Sequence, residues 1–179
     1  MIFWNVFAFI FGAAIGSFLN VCIYRLPDKE SIIKPFSRCP HCKNLIRFYD
    51  NIPIISFLIL KGKCRDCGGK ISWRYPLVEL ITGVFFLLLF LKFGVSLQFL
   101  AVFAFTAVLI VITFIDLDHQ IIPDVLTLPG IPIFLLAGIF IMKVPWQETL
   151  IGLLVGGGVL FIIAFVYEAI TKREGMGGG

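Results

Sequence analysis

Charged residues are scarce in this sequence. Asp, Glu, Lys and Arg make up only 15% of the 179 residues, whereas 59% are hydrophobic and 15% are aromatic. Because soluble globular domains carry about 25% charged residues, this composition excludes an ordinary soluble domain and indicates a membrane protein. A glycine-rich phosphate loop and a dinucleotide fingerprint are also lacking, and we expect no nucleic-acid partner.

Long uncharged stretches predict five membrane-spanning helices. A spanning helix needs about 18 or more predominantly apolar residues, since in hydrocarbon its backbone polar groups must bond within the helix. The first stretch lacks the basic start and the clear cleavage site of a secretory signal, so we expect it to be retained. The expected fold class is therefore an all-α polytopic membrane protein. The predicted spans are residues 1–24, 75–91, 93–115, 125–142 and 149–167.

Most of the cations lie in one segment, residues 25–74. It contains 11 of the 15 Lys and Arg residues against four Asp and Glu residues, which gives a formal charge of +7. Because cytoplasmic loops are enriched in Lys and Arg, we place this segment inside the cell and the N-terminus outside. The loop between the third and fourth spans then also lies on the cytoplasmic face. The same positive charge can attract anionic lipid headgroups.

Four of the five cysteines form two CxxC pairs within this segment. Cys39 pairs with Cys42, and Cys64 pairs with Cys67. Two such pairs can deliver four thiolates to one tetrahedral zinc ion. Disulfides are the alternative, which a reducing cytoplasm disfavours. His41 lies inside the first pair and is expected to be a neighbour of the metal rather than a ligand. We therefore predict a small structural zinc domain.

The chain has other features that bear on its organisation. Gly12 and Gly16 lie four residues apart, as do Gly152 and Gly156, and this spacing predicts close helix packing. Glu79 is an ionisable group near the cytoplasmic end of its span, where it serves either as an interfacial anchor or as part of a site. The predicted domains are a first transmembrane helix at residues 1–24, a cytoplasmic zinc-knuckle domain at 25–74 and four further helices at 75–179.

Three acids follow the third predicted span: Asp116, Asp118 and Asp124. Asp116 lies where water and bilayer meet, so its carboxyl can be partly desolvated and still be reached by water. Two carboxyls that share a proton can hydrolyse a peptide bond, because the ionised one activates water and the protonated one donates to the carbonyl oxygen. Asp118 is two positions on, whereas neighbours on a helix face are three or four apart, and Asp124 is suited to begin the next helix. Alternatively, all three acids only mark a solvated loop.

Several longer motifs occur in order along the chain. Besides the paired CxxC motifs, they are GSFLNVCIYRLP at 16–27, YDNIP at 49–53, WRYPLVEL at 73–80, IDLDHQIIPD at 115–124 and EGMGGG at 174–179. In these motifs the sequence resembles the prepilin leader peptidases, polytopic aspartic endopeptidases of type IV pilus and type II secretion systems. The resemblance covers essentially the whole length of the chain.

The resemblance implies the catalytic residues. In that family one catalytic aspartate begins an Asp-x5-Ile-Pro pattern, which Asp116 and the following Ile122-Pro123 match. The second ends a Gly-x-Gly-Asp motif, so it is expected directly after Gly179 and is absent from the chain. The family also continues with further spans. Residues 75–179 would then be an incomplete portion of the peptidase domain, and we expect the 179-residue chain alone to be proteolytically inactive.

The resemblance also implies the activity. The enzyme would cut the leader from prepilin-like proteins after a glycine, at the cytoplasmic face of the bacterial inner membrane. It would then methylate the new N-terminal residue, usually phenylalanine, with S-adenosylmethionine as donor. Structural zinc and S-adenosylmethionine are the implied cofactors, and prepilins and membrane lipid are the implied partners. Two alternatives remain open: a non-catalytic, membrane-anchored zinc-binding adaptor, and a methyltransferase without protease activity.

Overall fold

A computed structural model describes residues 2–34 and 36–171 of the chain. Their regular structure is helical, with only two isolated antiparallel bridges, so the predicted all-α class is confirmed. The predicted glycine-rich motif at residues 174–179 lies outside the described residues. A 3-10 helix spans Phe48–Asn51, and the α-helices are α1 (Ile2–Arg25), α2 (Ile55–Ile59), α3 (Arg74–Phe93), α4 (Leu97–His119), α5 (Asp124–Phe140) and α6 (Trp146–Thr171).

Four of these helices are long and apolar enough to cross a membrane. They are α1, α3, α4 and the part Trp146–Tyr167 of α6. The remaining predicted span is α5, which has 17 residues and is therefore about 26 Å long. Because the hydrocarbon core of a bilayer is about 30 Å thick, α5 is at the short limit for a spanning helix. The predicted count of five spans is thus approximate.

Local sequence explains where the membrane helices end and begin. Gly94 stops α3 with a φ of 60°, and its N–H donates to the carbonyl oxygen of Phe90 at 2.8 Å. The next helix, α4, starts after Ser96, whose hydroxyl accepts a hydrogen bond from the Phe99 N–H at 3.2 Å. Such a serine satisfies one of the unpaired donors of the first helical turn. Asp124 begins α5, as predicted.

The helices α1 and α3 pack closely because glycines leave room between them. A Cβ added at Gly16 would lie 2.8 Å from the Cα of Glu79, and one added at Gly12 would collide with Phe86. The predicted packing role of this glycine pair is confirmed. The contact also completely buries Val78 and Thr82 of α3, and the Thr82 hydroxyl donates to the Val78 carbonyl oxygen at 2.7 Å.

A cluster of aromatic rings joins α3 to α4. The ring centroid of Phe86 lies 4.9 Å from that of Phe99 and 4.7 Å from that of Phe103, in edge-to-face arrangements. All three rings are buried. Edge-to-face pairs add about 0.5–1.5 kcal/mol each to the stabilisation from burial, so this cluster fixes the α3–α4 hairpin.

The chain divides into two compact units, Met1–Leu117 and Asp118–Gly179. The first contains α1, α3, most of α4 and the segment between α1 and α3, residues 26–73, which we call the cysteine module. The second unit contains α5 and α6. A sharp turn joins these two helices, in which the Val144 N–H donates to the Gly138 carbonyl oxygen at 3.0 Å.

Candidate functional site

Four cysteines from two separate turns lie together in the cysteine module. The Sγ atoms of Cys39, Cys42, Cys64 and Cys67 all lie within 4.8 Å of one another, and those of Cys39 and Cys67 are 3.8 Å apart. A tetrahedral zinc ion with Zn–S bonds of about 2.3 Å holds its sulfurs about 3.8 Å apart. The four predicted cysteines are therefore brought together, and their donor set and spacing fit a metal ion.

The two CxxC turns have the same local structure. In the first turn the Cys39 N–H donates to the Asn44 carbonyl oxygen at 2.9 Å. In the second the Cys64 N–H donates to the Gly69 carbonyl oxygen at 2.8 Å. The residue after the second cysteine has a positive φ in both turns, 60° and 69°. Each turn therefore points two sulfurs to the same side, and two such turns facing each other build the four-sulfur cluster.

The pKa values of Cys39 and Cys42 are shifted in opposite directions. Burial opposes ionisation of Cys39, but hydrogen bonds from the backbone N–H groups of Cys42 and His41 and from neighbouring thiols outweigh it and lower its pKa to about 6. The Asn44 N–H favours the thiolate of Cys42, yet burial and the other three sulfurs raise its pKa to about 12. Crowded thiolates repel one another, and a bound divalent cation removes that repulsion.

His41 lies beside the cluster. A Cβ added at Gly69 would lie 2.7 Å from the His41 Cδ2 atom, so the imidazole packs on the backbone of the second turn. The ring does not belong to the group of atoms that could share one metal ion. This placement agrees with the prediction that His41 is a neighbour rather than a ligand.

An ion pair holds the second CxxC turn to the 3-10 helix. The Arg65 Nε atom lies 2.9 Å from Asp50 Oδ2, and its Nη2 atom lies 2.6 Å from Oδ1. The Asp50 side chain is only 9% exposed, whereas that of Arg65 is 42% exposed. The guanidinium lowers the pKa of the Asp50 carboxyl by hydrogen bonding to it. This two-bond arrangement fixes the orientation of both side chains.

A cavity of about 640 Å³ lies between the cysteine module and helices α1 and α3. Asn20, Tyr75 and Glu79 line it from the helices, and Cys39 and Cys64 line it from the module. We call this cavity the module cleft. Its volume falls in the range of about 300–1,000 Å³ that small-molecule sites occupy. Because two of the clustered cysteines form part of its wall, the shape of the cleft depends on the metal site.

Two buried polar side chains hold the helix side of the module cleft. Glu79 is 8% exposed, and its Oε2 atom accepts a hydrogen bond from the Ile54 N–H at 2.7 Å. Asn20 is 3% exposed and donates to the Tyr75 carbonyl oxygen at 3.0 Å. The first bond ties the module to α3, and the second ties α1 to α3. Glu79 is therefore buried in the wall of the cleft, and its role within a site stays a prediction.

The three acids of residues 116–124 are all exposed. Asp116 lies in the last turn of α4, directly after the fully buried Ile115. Because α4 continues to His119, Asp118 stands two positions further on the same helix, not three or four. Asp124 opens α5. Asp116 thus follows the apolar part of α4 and is exposed, while the partial desolvation of its carboxyl and its catalytic role stay predictions.

The ion pair between Asp50 and Arg65 could not be predicted from the sequence. They are 15 residues apart, and neither the CxxC pattern nor the charge of the segment indicates which acid meets which base. The signal that was available is the motif YDNIP at residues 49–53, which holds both Asp50 and the turn that presents the Ile54 N–H to Glu79.

Comparison with known protein families divides the chain into two parts. Residues 10–93 match the bacterial peptidase A24 N-terminal domain. Residues 103–179 match the type IV leader peptidase family. The described residues that line the module cleft belong to the first region, whereas Asp116 lies in the second.

Three curated relatives carry the name prepilin leader peptidase/N-methyltransferase. The protein of Myxococcus xanthus (strain DK1622) is 40% identical over 178 residues, which cover 97% of this chain and 52% of the relative. The protein of Neisseria gonorrhoeae is 41% identical and that of Dichelobacter nodosus 39%. The aligned parts cover 96% and 97% of this chain, and 68% and 70% of those relatives. The chain thus spans about half to seven tenths of their length. No solved structure matches it.

Proposed function

The chain belongs to the type IV leader peptidase family, and we propose that it acts in cutting the leader from type IV prepilin-like proteins after a glycine. The observation that carries this proposal is the alignment of 96–97% of the chain with relatives named for that activity, at 39–41% identity. The peptidase is an aspartic one, and the cut is made at the cytoplasmic face of the bacterial inner membrane.

Asp116 is the proposed catalytic acid on this chain. It is exposed at the end of an apolar helix, so water can reach a carboxyl that lies beside the membrane boundary. A prepilin has a short basic leader followed by an apolar helix, which brings the bond to be cut to the same depth. The partner acid is the aspartate expected directly after Gly179. One carboxyl activates water, and the other donates its proton to the carbonyl oxygen of the glycine.

The four cysteines are proposed to hold a structural zinc ion. Four thiolates close a tetrahedral site and leave no open position for water, which is typical of structural rather than catalytic zinc. The cysteine module is small, has little regular structure and contains few buried apolar residues. A metal ion that ties its two turns together would supply much of its folding free energy.

The second proposed activity is N-methylation of the new N-terminal residue, with S-adenosylmethionine as donor. The relatives are named for it, and the first family region offers a cavity of suitable size that is separate from Asp116. When bound, the donor supplies an activated methyl group. The residues of the chain have to bind it, orient it and shield it from water.

The proposed topology follows from the charges. The cysteine module and Asp116 face the cytoplasm, and the N-terminus lies outside, because the strongly basic segment of residues 25–74 favours the inner side. The basic segment can also bind anionic lipid headgroups. Prepilins and membrane lipid are thus the proposed partners.

The test of the proposed cleavage is Asp116→Asn in the full-length enzyme reconstituted in lipid vesicles. Mass spectrometry of a prepilin substrate should show that cutting after the glycine slows by about 10²–10⁴-fold. The matched controls Asp118→Asn and Asp124→Asn, which remove neighbouring acids, should cut at a normal rate. If the protein is a zinc-binding adaptor, the wild type will not cut the prepilin. If it is a methyltransferase only, the wild type will methylate a pre-cut pilin but will not cut a prepilin.

A further inference from the structure

The module cleft contains a buried carboxylate, that of Glu79, with which no cation of the described residues forms an ion pair. Within residues 2–34 and 36–171, the Arg47–Asp66 and Arg65–Asp50 ion pairs both leave Glu79 out. A carboxylate has about four acceptor positions; the Ile54 N–H fills one of them, and the Ser17 hydroxyl also hydrogen-bonds to this carboxyl. Because a buried charge is costly unless it is paired, Glu79 is suited to bind a group that brings its own positive charge.

The backbone that meets Glu79 is held in an unusual conformation. Ile54 has a φ of 62° and a ψ of −50°, and the N–H of Ile55 donates back to the carbonyl oxygen of Pro53. A β-branched residue with positive φ is rare and strained. The turn nevertheless presents the Ile54 N–H to the carboxylate, which fixes the orientation of the Glu79 side chain in the cleft.

The rest of the cleft wall carries aromatic rings and charges of both signs, with more cations than the three acids Glu30, Asp50 and Asp66. Its cations include Arg38, Lys43, Lys70 and Arg74, and Tyr75 is among its aromatic residues. A ligand for this cleft therefore has to match charges of both signs. A ligand that carries both an ammonium and a carboxylate group can satisfy the buried acid and the basic wall at once, and a purine can pack on the aromatic faces.

S-adenosylmethionine has this combination of groups: an amino acid head, a sulfonium and an adenosine. We propose that Glu79 binds the α-ammonium group of the methyl donor in the module cleft, while the cations of the wall attract its carboxylate. The inference rests on the proposed methyltransferase activity and deepens it, because it assigns the donor to a particular cavity and its ammonium to a particular side chain.

The experiment measures the binding of two donor analogues to the intact enzyme in detergent. S-adenosylhomocysteine keeps the amino acid head, whereas methylthioadenosine lacks it, and neither carries a sulfonium charge. With Glu79→Gln, the Kd for S-adenosylhomocysteine should rise about 10- to 100-fold, as expected for loss of a charged hydrogen bond. The Kd for methylthioadenosine should change less than about twofold. Glutamine keeps an acceptor for the Ile54 N–H, so the fold should be retained.

Two controls accompany the binding measurement. Asp28→Asn removes an exposed carboxylate of the same segment that does not line the cleft, and it should leave both Kd values unchanged. Leader cutting and metal content, measured on the same Glu79→Gln sample, should match the wild type and so report an intact fold.

The other outcomes overturn the inference. Equal weakening of both analogues would mean that Glu79 shapes the cleft and does not bind the ammonium. An unchanged Kd for S-adenosylhomocysteine together with a raised KM for a pre-cut pilin peptide would mean that Glu79 binds the methyl acceptor and not the donor. If the wild type methylates that peptide with labelled S-adenosylmethionine but Glu79→Gln binds normally, only the inference fails. If the wild type methylates nothing, the proposed methyltransferase activity fails with it.

Discussion

The cysteine module and the segment at residues 116–124 differ in how much of a site each contains. In the module, two turns of the same structure bring four sulfurs within 4.8 Å of one another. All four candidate ligands therefore come from one short stretch of sequence, residues 39–67. In the acidic segment, the three carboxyls are exposed and follow one helix into the next. A metal site of this kind is encoded locally, whereas an aspartic dyad requires an acid from a distant part of the sequence.

This contrast predicts that the module responds most strongly to loss of its metal. Cys39→Ser, which removes one of the four sulfur ligands, or treatment with a strong zinc chelator should reduce the zinc content from one ion per chain to none. Structural zinc contributes about 10–16 kcal/mol to the folding of small domains. The module should then unfold, and binding of S-adenosylhomocysteine should be lost with it. Metal analysis and binding measurements on the purified protein check both effects.

The matched control for the cysteine change is Cys22→Ser. Cys22 is a free, buried cysteine of α1 outside the cluster, so the variant should keep its zinc. Full zinc content in Cys39→Ser would contradict the four-sulfur site.

A second prediction compares Gly16 and Gly152, which come from two glycine pairs of equal spacing. A Cβ at Gly16 would lie 2.8 Å from the backbone of α3, whereas a Cβ at Gly152 would meet no described residue within 4 Å apart from its chain neighbours and the backbone of its own helix. Gly16→Ala should therefore destabilise the protein by about 1–3 kcal/mol through overpacking. Gly152→Ala should be neutral or slightly stabilising, because alanine favours a helix more than glycine does. Thermal unfolding in detergent distinguishes the two, and equal effects would contradict the α1–α3 packing.

The smallest effect is expected at the ion pair of the module. Asp50→Asn removes the charge that faces Arg65, and since the arginine is partly exposed the Tm should fall by no more than about 2 °C. Pairing lowers the pKa of Asp50, so its contribution is complete above the unfolded value of about 3.9. It is lost only as the pH falls through the lowered pKa. The Tm difference between wild type and variant should thus stay constant from about pH 8 to pH 5, and a difference that shrinks within this range would speak against the pairing.

Much of this arrangement could be predicted from the sequence because it depends on short-range patterns. The uncharged stretches indicate the long helices, the CxxC pairs indicate the sulfur cluster, and the spacing of Gly12 and Gly16 indicates close packing. The length of α5 does not follow from hydropathy alone, since the end of an apolar helix also depends on its turn residues: residues 125–142 were predicted, and the helix spans Asp124–Phe140.

What the sequence did not determine depends on contacts between distant residues. Glu79 lies 25 residues from Ile54, and only the folded module shows that their bond closes one side of a cavity. From the sequence alone, a role for Glu79 as an interfacial anchor was equally reasonable. The ion pair between Asp50 and Arg65 could not be predicted for the same reason, because charge composition does not specify which acid meets which base.

The central claim is that the two proposed activities use separate sites on one enzyme, and sequential treatment of one substrate tests it most directly. A prepilin is first exposed to Glu79→Gln enzyme at a donor concentration below that variant's Kd, and then to Asp116→Asn enzyme with labelled S-adenosylmethionine. We expect the first variant to cut without methylating and the second to methylate the cut product, so that labelled mature pilin appears only after both treatments. Failure of the Asp116→Asn enzyme to methylate pilin that is already cut would contradict separate sites.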